Sequence, residues 1–207
     1  MLLYITLALG PMARFFPRFW LLLPYRRELG IWFGISAIVH TVIILDGWAR
    51  WDVLQFMGYQ FVPQLGRMVR LESGFGMANL LGLLAVLLAL PLMATSADWA
   101  MRALGGASWK FLHYGAYTIF YLVVMHTAYF LYIHYTASFH RAPPEDPNWF
   151  QIPFAVLTVA LITLQAGAFF NTVRRQRRGA SRRAARTNFR NIQPGLDTER
   201  GLESPIS

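Results

Sequence analysis

The chain has 207 residues, of which 56% are hydrophobic and only 14% charged, and its mean hydropathy is +0.38. A soluble domain carries about 25% charged residues to solvate its surface, so a water-soluble globule is excluded and a single integral membrane bundle is indicated. The net charge of +9 does not point to nucleic acid: nine of the nineteen basic residues follow residue 173, mostly in RRQRRGASRRAARTNFR, which is the placement of a cytoplasmic flank within reach of anionic lipid.

The apolar residues fall into blocks. The first, Met1 to Phe16, is shorter than the roughly 20 residues a span needs and is interrupted by Pro11. It reads as a stunted or re-entrant helix, or as the remainder of a longer one whose start lies upstream. A signal peptide fits less well, because the basic start and the small-residue cleavage site are missing. After PYRRE the second block runs from Leu29 to Trp48, with Gly30 and Gly34 making one face small and His40 in its interior. Residues 49–73 form a polar connector in which Val53, Phe56, Met57 and Tyr59 recur at near-helical spacing, predicting an amphipathic interfacial helix. Gly74 to Thr95 is the most uniformly aliphatic block, and its Pro91 is tolerable in a packed membrane helix. A Gly105–Gly106 break precedes the fourth block, Trp109 to Tyr135, which carries His113 and His126. The loop HRAPPEDPNW cannot remain helical. A fifth block, Phe150 to Val173, ends at the arginine cluster. The expected organisation is an all-α transmembrane bundle of about five helices over 1–173 and a flexible basic tail over 174–207.

Placing the tail in the cytoplasm and alternating five crossings puts fifteen basic residues on the cytoplasmic side and four (Arg50, Arg67, Arg70 and Arg141) on the other. That asymmetry sets the orientation.

An ionisable residue inside a span is costly, and so marks a candidate functional site. In this topology the His40 and His113/His126 helices run the same way. At about 1.5 Å per residue, His40 lies about 20 Å beyond Arg27 and His126 about 24 Å beyond Lys110, so the two share a layer. Neutral imidazole is a common axial ligand of haem iron, and a bis-histidine haem b needs one histidine from each of two helices at one depth. His113 lies near the cytoplasmic face, with only Gly30 opposite. At about 100° per residue it also points about 140° away from His126, so a second site needs another flank or a local irregularity. Hydrogen-bonded packing is the plainer role for any one of these histidines. His134 and His140 read as solvated residues at the outer end, and Tyr114, Tyr117, Phe120 and Tyr121 as packing. The absence of cysteine removes disulfides and cysteine-held iron–sulfur clusters.

The segments PYRRELGIWFGISAIVH (24–40), LPLMATS (90–96) and WKFLHYGAYTIFYLVVMH (109–126) resemble the ferric-reductase-like transmembrane superfamily, within which they are most similar to the haem-binding membrane subunit of the periplasmic methionine-sulfoxide reductase system. The resemblance spans roughly residues 2–170. It implies one or two b haems held by His40, His113 and His126, and electron transfer across a bacterial inner membrane to a periplasmic redox partner. It also implies a cytoplasmic flavin reductase carrying FMN, or quinone, as donor. The chain departs from these relatives in starting partway through an early helix of a six-helix pattern, in its longer connector and in its longer tail. About 35 residues follow the last block, too few for flavin and nicotinamide domains. The rival readings are a stand-alone membrane ferric reductase and a structural subunit that has lost haem.

Overall fold

The computed structural model describes residues 1–70, 72, 74–137 and 146–192. It divides into two compact units, Met1–Leu164 and Gln165–Ser207. Helix α1 (Leu2–Phe15) has 14 residues and carries Pro11 inside it. A 3₁₀ segment, Pro17–Leu22, leads into α2 (Tyr25–Ile43), which opens into a π-helical turn at Ile44–Trp48. A one-turn helix α3 (Val53–Phe56) and a hairpin of β1 (Tyr59–Val62) and β2 (Arg67–Arg70) follow. Then come α4 (Phe75–Ala94), α5 (Asp98–Leu104), α6 (Gly106–His113) and α7 (Gly115–Ala128). A second π turn, Tyr129–His134, and the short α8 (Tyr135–Ala137) lead on towards α9 (Gln151–Ile192).

Among the described residues four stretches are long and apolar enough to cross a membrane: Tyr25–Trp48, Phe75–Ala94, Gly106–His134 and Gln151–Ser181. With the shorter α1 they account for the five apolar blocks, and the fold is an all-α multi-pass membrane bundle. At about 1.5 Å per residue α1 is about 21 Å long, short of the roughly 30 Å hydrocarbon layer. It is nonetheless the most enclosed helix, with Leu7 fully buried. Leu3 and Leu7 of α1 meet Ala85 and Ala89 of α4, Ile119 and Phe120 of α7, and Leu161 of α9 in one core cluster. The Tyr4 hydroxyl shares a 2.8 Å hydrogen bond with Thr158 Oγ1, and the Tyr4 ring meets Phe120 edge-on at 5.3 Å. Lipid tails are as apolar as leucine, so such helices associate by close fit and not by water exclusion. The alanines of α4 supply that fit, and Gly34 does so on α2, where a Cβ would come within 2.9 Å of Met93 Sδ. Trp32, Val39 and Ile43 on the other flank of α2 are exposed, as a lipid-facing surface requires.

The connector corrects the interfacial-helix expectation. Asp52 caps α3 by accepting from Leu54 N at 2.7 Å and Gln55 N at 3.3 Å, but the helix lasts one turn because Gly58 turns the chain at φ +85°. Tyr59 starts a strand, and a turn with Pro63 inside it, closed by Leu65 N to Val62 O at 3.0 Å, returns the chain in antiparallel register, Phe61 opposite Met68. Arg50 and Trp51 both adopt left-handed backbone, φ 49° and 59°, at about 1–2 kcal/mol each for non-glycine residues.

α6 and α7 meet at an irregular step, where Tyr114 N donates to both Lys110 O and Phe111 O. Phe120 is core, whereas Tyr114 and Tyr121 are exposed. In the second unit α9 continues as helix to Ile192, through the start of the basic tail, and Thr172 Oγ1 donates to Ala168 O at 2.8 Å. His140, Arg141 and the tail beyond 192 lie outside the described residues. In water a Phe→Ala change in a core costs about 3–5 kcal/mol. In a bilayer the transfer component falls away and lost contact remains, so Phe120→Ala should cost about 1–3 kcal/mol. A lower thermal midpoint in detergent would report this, with Tyr121→Ala nearly silent.

Candidate functional site

One cavity of about 940 Å³ lies between α2, α4 and α7, near the upper end of the roughly 300–1,000 Å³ typical of small-molecule sites. His40 and Ser36 of α2 line one wall, Asn79 and Gly82 of α4 another, and Val123, His126 and Thr127 of α7 a third. Phe56, Gly58 and Gln60 of the connector close one end, beside Glu72, Phe130 and His134.

The His40 and His126 rings face each other across this space, 6.5 Å between centroids and 81° between planes. The backbone explains why His126 sits where it does. A Cβ on Gly82 would lie 2.7 Å from His126 Nδ1 and 2.8 Å from Cε1, so the imidazole occupies the place of the missing side chain. From there its Nδ1 reaches the Ala78 carbonyl at 2.8 Å. A carbonyl only accepts, so Nδ1 carries the proton and Nε2 keeps its lone pair. A histidine locked in this way by a backbone acceptor is the usual arrangement for a metal-binding imidazole. Two imidazoles sharing one metal at about 2 Å per bond bring their ring centres to about 6 Å, so the pair fits a bis-histidine haem.

His113 is elsewhere. It ends α6, stacks on Trp109 at 4.0 Å, and its Nδ1 lies 3.0 Å from Trp109 O; the Trp109 indole is itself fixed to Thr95 O at 2.8 Å. His113 Nε2 is buried without a hydrogen-bond partner. The other described histidines are engaged in the main cavity. The structure therefore brings His40 and His126 together and leaves His113 apart.

His134 is not the solvated loop residue expected. Its Nδ1 sits 2.5 Å from Glu72 Oε2, and Glu72 is only 8% exposed. Phe75 and Phe130 flank the ring at 5.3 and 5.4 Å. The cause is helical register. Eight α-helical residues would turn His134 about 80° away from His126, but Tyr129–His134 is a π turn, which advances only about 80° per residue. The five steps through it thus more than offset the drift and bring His134 back to within about 20° of the His126 direction. The four-residue spacing His126, Phe130, His134 was the available signal. Gly82 gave none, being one small residue in an aliphatic block.

Residues 1–124 match the family described as "Ferric reductase like transmembrane component", and the chain belongs to that family. The matched region includes His40, Gly82 and His113, while His126 lies two positions beyond it. Over 104 residues the chain is 33% identical to the magnetosome protein MamZ of Paramagnetospirillum magneticum, which covers 49% of this chain and 14% of that protein. The chain thus spans a small part of the length of this curated relative. No solved structure matches it.

Removing the His134 ring would take one hydrogen-bond partner from the buried Glu72, at about 1–3 kcal/mol. His134→Ala should therefore lower the thermal midpoint. The double variant Glu72→Gln with His134→Ala should lose clearly less than the sum of the single changes, as expected of coupled sites.

Proposed function

We propose that this chain is a b-type haem membrane protein that carries electrons across the bilayer of a bacterial inner membrane, with its C-terminus in the cytoplasm. The observation that carries the reading is the opposed His40–His126 pair, 6.5 Å apart, with the His126 tautomer set by Ala78. Membership of a ferric-reductase-like transmembrane family supports a redox role. Haem bound there supplies a one-electron couple. His40 and His126 are the residues that would hold its iron; Ala78 and Gly82 orient one of them; Phe75 and Phe130 keep water from that end of the cavity. His113, whose Nε2 is buried and lacks a hydrogen-bond partner, is the candidate ligand of a second haem.

The acceptor in this reading is a periplasmic oxidoreductase docking on the hairpin side, as in the methionine-sulfoxide reductase system. The donor is a cytoplasmic flavin reductase or quinone. The basic flank and the 15-to-four partition of basic residues support that orientation. A stand-alone metal reductase is the second reading, favoured by Glu72 and His134, a carboxylate and an imidazole at the hairpin end of the cavity.

The reduced-minus-oxidised visible spectrum of the purified chain should show a b-type signal; a flat spectrum rejects haem and leaves the structural-subunit reading. His40→Ala and His126→Ala should each abolish the His40–His126 haem. His113→Ala should preserve it and remove at most a second equivalent. Ferric chelate that reoxidises the reduced protein as fast as a copurified partner does would favour the metal reductase. Gly82→Ala, which drives a methyl into the His126 ring, should reduce haem occupancy several-fold while Leu87→Ala, exposed on the same helix, leaves it near wild type, both read as haem per chain.

A further inference from the structure

The connector over the cavity has two unlike faces. Strand pairing sets Tyr59 opposite Arg70 and Phe61 opposite Met68 on one face, and Gln60 opposite Val69 on the other. Gln60 lines the cavity, so its face is the inner one. The outer face carries Phe61, 60% exposed, with Met68 and Arg70. The neighbouring turns expose Trp51, Val53, Leu54 and Leu65 as well. Arg50, Arg67 and Arg70 make no ion pair among the described residues.

The level of this segment is fixed by its contacts with the first turn and a half of α4. Asn79 Nδ2 donates to Phe56 O at 2.8 Å. A Cβ on Gly76 would lie 2.7 Å from Met57 O, and one on Gly58 3.3 Å from Phe75 Cβ. The connector is thus clamped where α4 enters its apolar span, which is the depth of the lipid headgroups. Aromatic rings and arginines beside exposed aliphatic side chains are the composition that settles there: rings and aliphatics among the upper acyl carbons, guanidinium groups on phosphate.

We propose that the outer face of the residue 50–70 segment binds the membrane surface, with Trp51, Val53, Leu54, Phe61, Leu65 and Met68 inserted among lipid and Arg50 and Arg70 on anionic headgroups. The connector is then a lid whose inner face closes the cavity and whose outer face is held by lipid. This assignment does not depend on haem.

The chain has no cysteine, so single nitroxide labels can be placed directly on Val53→Cys, Phe61→Cys and, as a lipid-facing reference, Val39→Cys. The labelled full chain is reconstituted in nanodiscs of phosphatidylcholine with or without phosphatidylglycerol, and power saturation compares accessibility to oxygen, which partitions into lipid, with a water-soluble nickel chelate. With phosphatidylglycerol present, labels at 53 and 61 should favour oxygen severalfold. Arg50→Ala with Arg70→Ala should shift label 61 towards the chelate in those discs, with little change at Val39. Chelate-favoured labels at both 53 and 61 overturn the proposal and leave this face to a protein partner. Oxygen-favoured labels that ignore both the arginines and the anionic lipid overturn its headgroup part.

Discussion

The hydrogen bond from His126 Nδ1 to the Ala78 carbonyl sets the geometry on which the cavity depends. It requires an imidazole to lie directly against the backbone of another helix, and only the missing side chain of Gly82 leaves that space. The bond selects a tautomer, and the tautomer turns the basic nitrogen away from α4. A histidine otherwise expensive to place in a membrane thereby has one polar atom satisfied and the other available. The His40 ring, brought across by α2, meets it at nearly a right angle.

Helix α1 supports this arrangement without touching the cavity. It is too short to span the bilayer, yet its leucines fill the centre of the cluster that joins α4, α7 and α9. The alanines of α4 let those neighbours come close, and one of them, Ala85, both belongs to the core cluster and lines the cavity. The helix that carries Gly82 is thus held by the same contacts that bury Phe120. The cavity wall and the core are one structure, consistent with close fit being the main cohesion between helices in lipid.

Much of the fold was legible because bilayer thickness imposes a length on apolar segments, and four helices of that length with one shorter helix follow the blocks read from composition. The shared depth of His40 and His126 was legible for the same reason: rise per residue is constant and basic residues mark a common plane. The connector was less so, since one turn of helical spacing at Val53–Phe56 cannot reveal that Gly58 ends it and Pro63 reverses it. His134 was misread because its depth puts it at the outer end, where solvation is the ordinary expectation, and depth carries no sign that Glu72 is buried there. Gly82 was invisible, as its role lies in what it lacks and only a partner helix shows the gap to be used.

Both histidine-bearing helices widen at the same end: α2 at Ile44–Trp48, four residues after His40, and α7 at Tyr129–His134, three residues after His126. A π turn is an α-helix holding one surplus residue, so each helix of this pair stores a length difference that no side chain records. The cavity's closed end is therefore specified by counting as much as by chemistry. Loss of a single residue within Tyr129–His134 would restore the ordinary pitch and leave the imidazole facing nearly as it does now, since seven α-helical steps also total about 700°; tightening the turn with all six residues kept would instead swing it about 100° away from Glu72. The surplus residue of each stretch can thus be lost with little change of direction beyond it, whereas a helix that kept the residue and closed the turn would reshape the cavity's closed end.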